Sequence, residues 1–308
     1  MFATRLNGRW AAALLLAACA VLARAEGPSV AEAAEAAEAG LLAQSLAAMP
    51  EPALHVQSAD DGALIRGEVA GLLATPADQV AGELRRTRPW CLVLLLHLNT
   101  KACTQSPGSA AEVAVWTGRK EYEPPERATL TRFAATLAPA GTGPALDLRL
   151  QADEGPMGTR ELRLQLRVWA VPQGSLLRVD YAYRSTALSR LALRGYLATV
   201  GRGKVGFSVA GQAADGTPQL VGGVRGMVER NVVRYLLAIQ SVLQTADPAL
   251  PPVQRFEQAA ARWFDLTERH ARQLRELPRD EYLANKRLEY AESQRRQQAL
   301  PAAARVPA

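Results

Sequence analysis

The sequence predicts an α+β domain in which an antiparallel sheet packs against one long helix toward its C-terminal side. Five stretches between Glu112 and Tyr183 alternate apolar and polar residues, most clearly Leu146-Asp147-Leu148-Arg149-Leu150 and Leu162 to Val168. A period of two gives a strand one wet face and one apolar face. Gly141, Gly143-Pro144, Gly155-Pro156 and Pro172-Gln173-Gly174 separate these stretches as turns. From Met227 to Leu243 the apolar residues Val228, Val232, Tyr235 or Leu236, Ile239 and Val242 or Leu243 recur at helical spacing.

The chain opens on a leader pattern. Arg5 and Arg9 precede an apolar run, Trp10 to Leu22, and Ala23-Arg24-Ala25 is a small-x-small cleavage site, so residues 1–25 are expected to be a removed signal peptide. A second reading takes Leu16-Ala17-Ala18-Cys19 as a lipobox, which would leave a lipoprotein anchored through Cys19. Removing 1–25 takes away three arginines and no acid, so the formal charge falls from +6 to +3. That modest balance argues against a dedicated nucleic-acid binder. No later apolar run approaches the roughly 18 residues of a membrane span. A periplasmic, secreted or anchored protein is the expected product.

Residues 26–52 are rich in Ala and Glu and are expected to form a loosely held helix or spacer. The folded domain is expected over 53–246. It begins with a hairpin, Leu54 to Ala74, turning at Asp60-Asp61-Gly62. Thr75-Pro76 starts a helix that ends near Pro89, and Trp90 to Leu98 follows as a short buried helix, with a strand as the alternative. After the meander, Leu188, Leu191, Ala192 and Tyr196 mark another helix. Lys204 to Ala210 and Gln219 to Val224 read as a hairpin around Asp215-Gly216, ahead of the long helix. Pro248, Pro251 and Pro252 form a linker, and 247–308 is expected to be a charged helical extension.

Cys91 and Cys103 remain after cleavage, and in an oxidising compartment an even pair predicts a disulfide contributing about 3 kcal/mol in the chain-entropy picture. The rival is a metal site of Cys91, His97 and Cys103, whose spacing fits no standard zinc pattern. His97, one of three histidines, sits in an apolar segment and reads as a core group before it reads as a general base. No nucleophile elbow is present, and Gly201-Arg202-Gly203-Lys204 lacks Walker spacing. No catalytic residue, cofactor or metal is therefore assigned. Tyr181 and Tyr183, two apart on one strand, share a face opposite Asp180 and either line or fill the interior. Arg194, Arg202, Lys204 and Arg225 are candidates for contact with an anionic headgroup, with a solvated basic face as the plainer reading.

Strand hairpin, two helices, antiparallel strands and a long final helix is the element order of a helix-grip fold. Beyond order, WCLVLLLHLNTKAC (90–103), GYLATVGRGKVGFSV (195–209) and VGGVRGMVERNVVRYLLAI (221–239) resemble an uncharacterised family of exported proteobacterial proteins related to START-type domains. The resemblance implies a cavity between sheet and helix that holds a lipid or another apolar ligand. The helix 186–199 is then the candidate lid, with Leu188, Leu191 and Leu197 inward and Arg190 and Arg194 on one face. Two other classes stand beside this one. An envelope interaction protein would use Trp263, Phe264 and Tyr282 of the extension as an exposed patch, and an enzyme on the same scaffold would need His97 or an acid beside an open pocket.

Overall fold

A computed structural model of the chain describes residues 29–85, 89–106, 111–138, 143–199, 201 and 203–301. The leader 1–25 with Cys19, Arg202, and the side chains of Leu188, Ala192, Arg194 and Tyr196 lie outside the described residues.

Helix α1 (Val30–Ala47) precedes a hairpin of β1 (His55–Asp60) and β2 (Leu64–Leu73), then α2 (Ala77–Arg85) and α3 (Pro89–Leu96). Six strands follow: β3 (Thr100–Gln105), β4 (Glu112–Thr117), β5 (Thr129–Leu137), β6 (Leu146–Glu154), β7 (Thr159–Val171) and β8 (Gly174–Ser185). Helix α4 (Ala187–Thr199) and the small hairpin β9 (Val209–Gln212) and β10 (Pro218–Leu220) lead to α5 (Gly223–Gln244). The chain continues through α6 (Pro252–Glu268), α7 (Ala271–Leu274) and α8 (Arg279–Ala299). The eight strands form one antiparallel sheet in the order β1-β2-β8-β7-β6-β5-β4-β3. This is the α+β helix-grip architecture, a sheet wrapped around α5 and extended by helices at its C-terminal end.

The grip is tightest at β2. Odd-numbered residues of β2 face the helix, and two of them are Gly67 and Gly71. A Cβ at Gly67 would lie 2.2 Å from Val228 Cγ1, and one at Gly71 3.0 Å from Leu236 Cδ2. The missing side chains let the valine and leucine of α5 sit directly on the strand backbone, with Val69, Val232 and Val233 buried beside them.

Three parts of the fold differ from the sequence expectations. The Ala/Glu-rich segment is not a loose spacer. Ser29 and Glu32 form a reciprocal capping box, and Ala39, Ala43 and Leu46 pack on Ala70, Trp169 and Leu176 of the outer sheet face. Small residues bring α1 close, and Glu35 and Glu38 reach Arg167 and Arg178 on the strands. The second difference is β3, an edge strand with every residue buried. Its polar sequence, TKACTQ, hides it from a period-two search because α8 supplies the partners. Ser293 Oγ accepts the Cys103 N–H at 3.1 Å, while Gln297 accepts the Gln105 N–H at 2.8 Å and donates to its carbonyl at 2.9 Å. An edge strand is thus closed by side chains rather than by another strand. The third concerns the small hairpin, whose first strand starts at Val209 instead of Lys204.

The segment after Pro252 is built into the core. Trp263 and Tyr282 stack with ring centroids 4.9 Å apart, Phe256 and Tyr290 at 4.3 Å, and all four belong to the same buried cluster as Val232 and Leu236. Trp263 donates to the Arg234 carbonyl at 3.1 Å and Tyr282 to the Leu96 carbonyl at 2.9 Å. Beneath α8 the buried ammonium groups of Lys101 and Lys286 share Glu289, at 2.7 and 2.6 Å. Each also donates to two backbone carbonyls, from Leu98 and Glu121 and from His97 and Thr100. Buried charge persists only where such partners exist.

Two outcomes follow. Gly67→Val is expected to lower stability by about 1–3 kcal/mol, the usual cost of forcing methyl groups into a packed contact, measured by denaturant unfolding. An unchanged midpoint would mean that α5 does not touch β2. Burial holds the Lys286 ammonium down to about 8, below the ordinary 10.5. Above pH 8 the unfolded chain therefore binds more protons than the folded one, and stability rises with pH toward the ordinary lysine value. Lys286→Met is expected to flatten that rise, and an identical slope in the variant would assign it to another group.

Candidate functional site

Sheet register places the inner face of the site. Gly67, Tyr181, Leu164, Leu150 and Ala135 lie opposite one another on β2, β8, β7, β6 and β5. Helix α5 sits on the glycine end of this rung. Farther along, the rung is roofed by α3, whose Cys91 is bonded to Cys103 of β3 with Cα atoms 5.4 Å apart. The expected disulfide is present, and bonded sulfurs are not available as thiolate ligands, which removes the Cys91–His97–Cys103 metal alternative.

Between α3, α5 and the sheet, burial is uneven. Leu94, Leu150, Leu164 and Val115 are buried, yet Cys91, Phe133, Ala135, Tyr181, Met227 and Tyr235 beside them keep part of their surface accessible. Tyr181 packs against three apolar clusters at once. Tyr183 is buried, its ring centroid 5.6 Å from that of Tyr181. Both face inward, and Asp180 between them points outward to Arg167 at 2.8 Å, as the alternation of a strand requires.

Desolvation dominates the electrostatics of these phenols. Burial pushes Tyr181 well above the ordinary tyrosine range, with Tyr235 and Tyr183 adding to the shift, and pushes Tyr235 up to about 12. Tyr183 is raised for the same reason, with Asp60 contributing. The Tyr183 hydroxyl is fully buried and has no hydrogen-bond partner among the described residues. Tyr181 and Tyr235 combine strong desolvation with residual accessibility. Cover over these rings is therefore incomplete.

His97 lines up with this row. Its ring stacks on Tyr235 with centroids 5.1 Å apart, and its Nδ1 accepts the Asn99 N–H at 3.2 Å. Burial, then the charges of Arg234 and Lys286, hold it well below the ordinary imidazole value, so it is neutral. With Nδ1 accepting, the proton is assigned to Nε2. Asn231 favours the charged form, but Nε2 reaches no hydrogen-bonding geometry with any partner among the described residues. The histidine read as a satisfied core group is half satisfied.

The remaining candidates are distributed differently. Glu276 takes the Lys204 ammonium and also binds Arg234 at 3.2 Å and Lys120 at 3.5 Å. Arg225 donates to Ser58 Oγ at 3.1 Å, and Ser58 in turn donates to the buried Glu229 at 2.5 Å. Both basic residues are thus engaged by the protein itself. On the candidate lid α4, Leu193 is buried and Leu197 half-buried, while Leu191, expected inward, is exposed. Arg190 is tied to the Gly62 carbonyl. A concavity of about 310 Å³ lies on the sheet's outer side, among Gln57, Arg66, Glu68, Arg163, Gln165 and Asp180, and Gly67 and Tyr181 also border it. Glu68 and Asp180 there are already paired with Arg178 and Arg167.

Among the described residues no helix is long and apolar enough to cross a membrane. No protein-family model and no curated protein matches the chain. Among solved structures, truncated norcoclaurine synthase from Thalictrum flavum aligns at 11% identity over 50% of this chain and 91% of its own, with a TM-score of 0.30. Ara h 8.0201 aligns at 9% identity over 44% and 79%, TM-score 0.29. A polyketide cyclase-like protein from Corynebacterium glutamicum aligns at 15% identity over 44% and 74%, TM-score 0.25. At such scores these likenesses carry no argument, and the helix-grip description rests on strand order and on the packing of α5.

Proposed function

We propose that the protein binds an apolar or amphipathic small molecule of the lipid class in the cleft between the inner sheet face and α5, and that it does so after export. One observation carries the binding reading. Tyr181 and Tyr235 lie deep enough for burial to raise both phenols, yet both keep accessible surface among apolar neighbours. A cleft of apolar walls with a few convergent polar groups is the usual form of a small-molecule site. The leader pattern of 1–25 and the Cys91–Cys103 bond support an oxidising, extracytoplasmic location. The rival reading, docking through an exposed aromatic patch of the extension, loses its surface because Trp263 and Tyr282 are buried.

The test fills the cleft. Ala135 is half-buried at the far end of the rung, where a larger side chain would project into the proposed space. Wild type is expected to bind the uncharged fluorophore N-phenyl-1-naphthylamine, and Ala135→Trp to lose at least about tenfold in affinity, roughly 1.4 kcal/mol, while remaining folded by circular dichroism. Equal binding by both proteins, or no binding by wild type, contradicts the reading.

A further inference from the structure

We infer that the concavity on the outer face of the sheet, away from the proposed cleft, takes the phosphate monoester of a short polyol, with Arg66 and Arg163 on the phosphate and Glu68 and Asp180 on the hydroxyls. Sheet register assembles these groups. Arg66 of β2, Ala182 of β8 and Arg163 of β7 lie opposite one another on one rung. Two strand spacings, about 10 Å in all, separate the arginine Cα atoms. The alanine between them is the floor, so two long side chains border one space of about 310 Å³. The next outer rung, about 7 Å along the strands, carries Gln57, Glu68, Asp180 and Gln165, which line the same space.

Arg163 stands there because β7 breaks its alternation. Between Arg160 and Arg163 the pairing with β8 slips by one residue, and Glu161 holds a φ of 48°, in the left-handed region. Unbroken alternation would set Leu162 opposite Ala182 on the outer face. The bulge turns Leu162 into the core and sets Arg163 opposite Ala182 instead.

The two guanidinium groups have donors to spare. Asp61 is 4.0 Å from Arg66 and Glu161 is 3.8 Å from Arg163, outside hydrogen-bond range, and all four side chains are more than half exposed. Neither arginine side chain makes a hydrogen bond to the protein among the described residues. Two such forks over one small floor suit a tetrahedral anion, and a phosphate monoester, with a charge of about −1.5 to −2 near neutral pH, matches two cations where a carboxylate matches one. The other rung supplies acceptors. Arg178 and Arg167 hold Glu68 at 2.6 Å and Asp180 at 2.8 Å, which neutralises the carboxylates and leaves lone pairs for hydroxyl donors. Bare phosphate would leave that end empty, and a second anionic group would be repelled by it. Apart from Tyr181, which faces inward, no apolar side chain larger than alanine lines the space. An acyl chain finds no wall there, so the ester is a soluble one.

Isothermal titration calorimetry of the full chain with sn-glycerol 3-phosphate tests this. Binding is expected, at least about tenfold tighter than that of inorganic phosphate or glycerate. Arg66→Gln and Arg163→Gln are each expected to weaken it at least about tenfold, whereas Arg184→Gln, at an exposed arginine outside the concavity, leaves it within about twofold. All three variants are expected to keep the circular dichroism of wild type, since exposed charges contribute little to stability. No binding by wild type, equal binding of inorganic phosphate or glycerate, or an affinity that Arg184→Gln lowers as much as the other two overturns the inference. Association with phosphatidate vesicles in place of sn-glycerol 3-phosphate overturns it as well.

Discussion

The structure depends on how closely α5 approaches one half of the sheet. Gly67 and Gly71 remove side chains where Val228 and Leu236 arrive, so the helix rests against β2 backbone. An 8-stranded sheet is wider than one helix. Contact at the β1-β2-β8 side therefore leaves the β5-β6-β7 side to be covered by something else. Helix α3, fixed to β3 by the disulfide, supplies part of that cover, and the partly accessible Phe133, Ala135 and Tyr181 mark where cover is incomplete. That incomplete cover follows from seating the helix off-centre.

The C-terminal helices complete the same arrangement from the other edge. By satisfying β3 with Ser293 and Gln297, α8 closes an edge that would otherwise recruit another strand. Holding it there requires Lys101, Lys286 and Glu289 to be buried together, an arrangement that costs desolvation and is tolerated because every ammonium is surrounded by carbonyl and carboxylate oxygens.

Much of the fold was legible because it follows period. Five strands of the meander, both early helices and α5 are visible as alternation or helical stripe. The inward direction of Tyr181 and Tyr183 follows from their spacing alone. What was hidden depends on tertiary partners. TKACTQ carries no apolar alternation because its neighbours on α8 are polar too, and the Ala/Glu stretch shows little amphipathic pattern because alanines suffice for close packing on Trp169 and Leu176. The charge-dense appearance of 280–298 concealed Tyr282, Lys286, Glu289 and Tyr290 on one buried face. At the site, Tyr235 was legible only as part of an apolar stripe. Its stacking on His97 brings together residues 138 positions apart, and nothing local announces it. Lys204 and Arg225 looked available because their partners, Glu276 and Ser58, are remote in sequence.

The proposed binding requires an interior space beside Phe133, Ala135, Tyr181 and Tyr235. Xenon enters apolar cavities and scatters strongly, so diffraction from xenon-pressurised crystals of the full chain reports that space directly. A xenon site in contact with those four side chains is the expected result. No xenon there, with the four side chains in van der Waals contact across the same region, would show a filled core and contradict the claim.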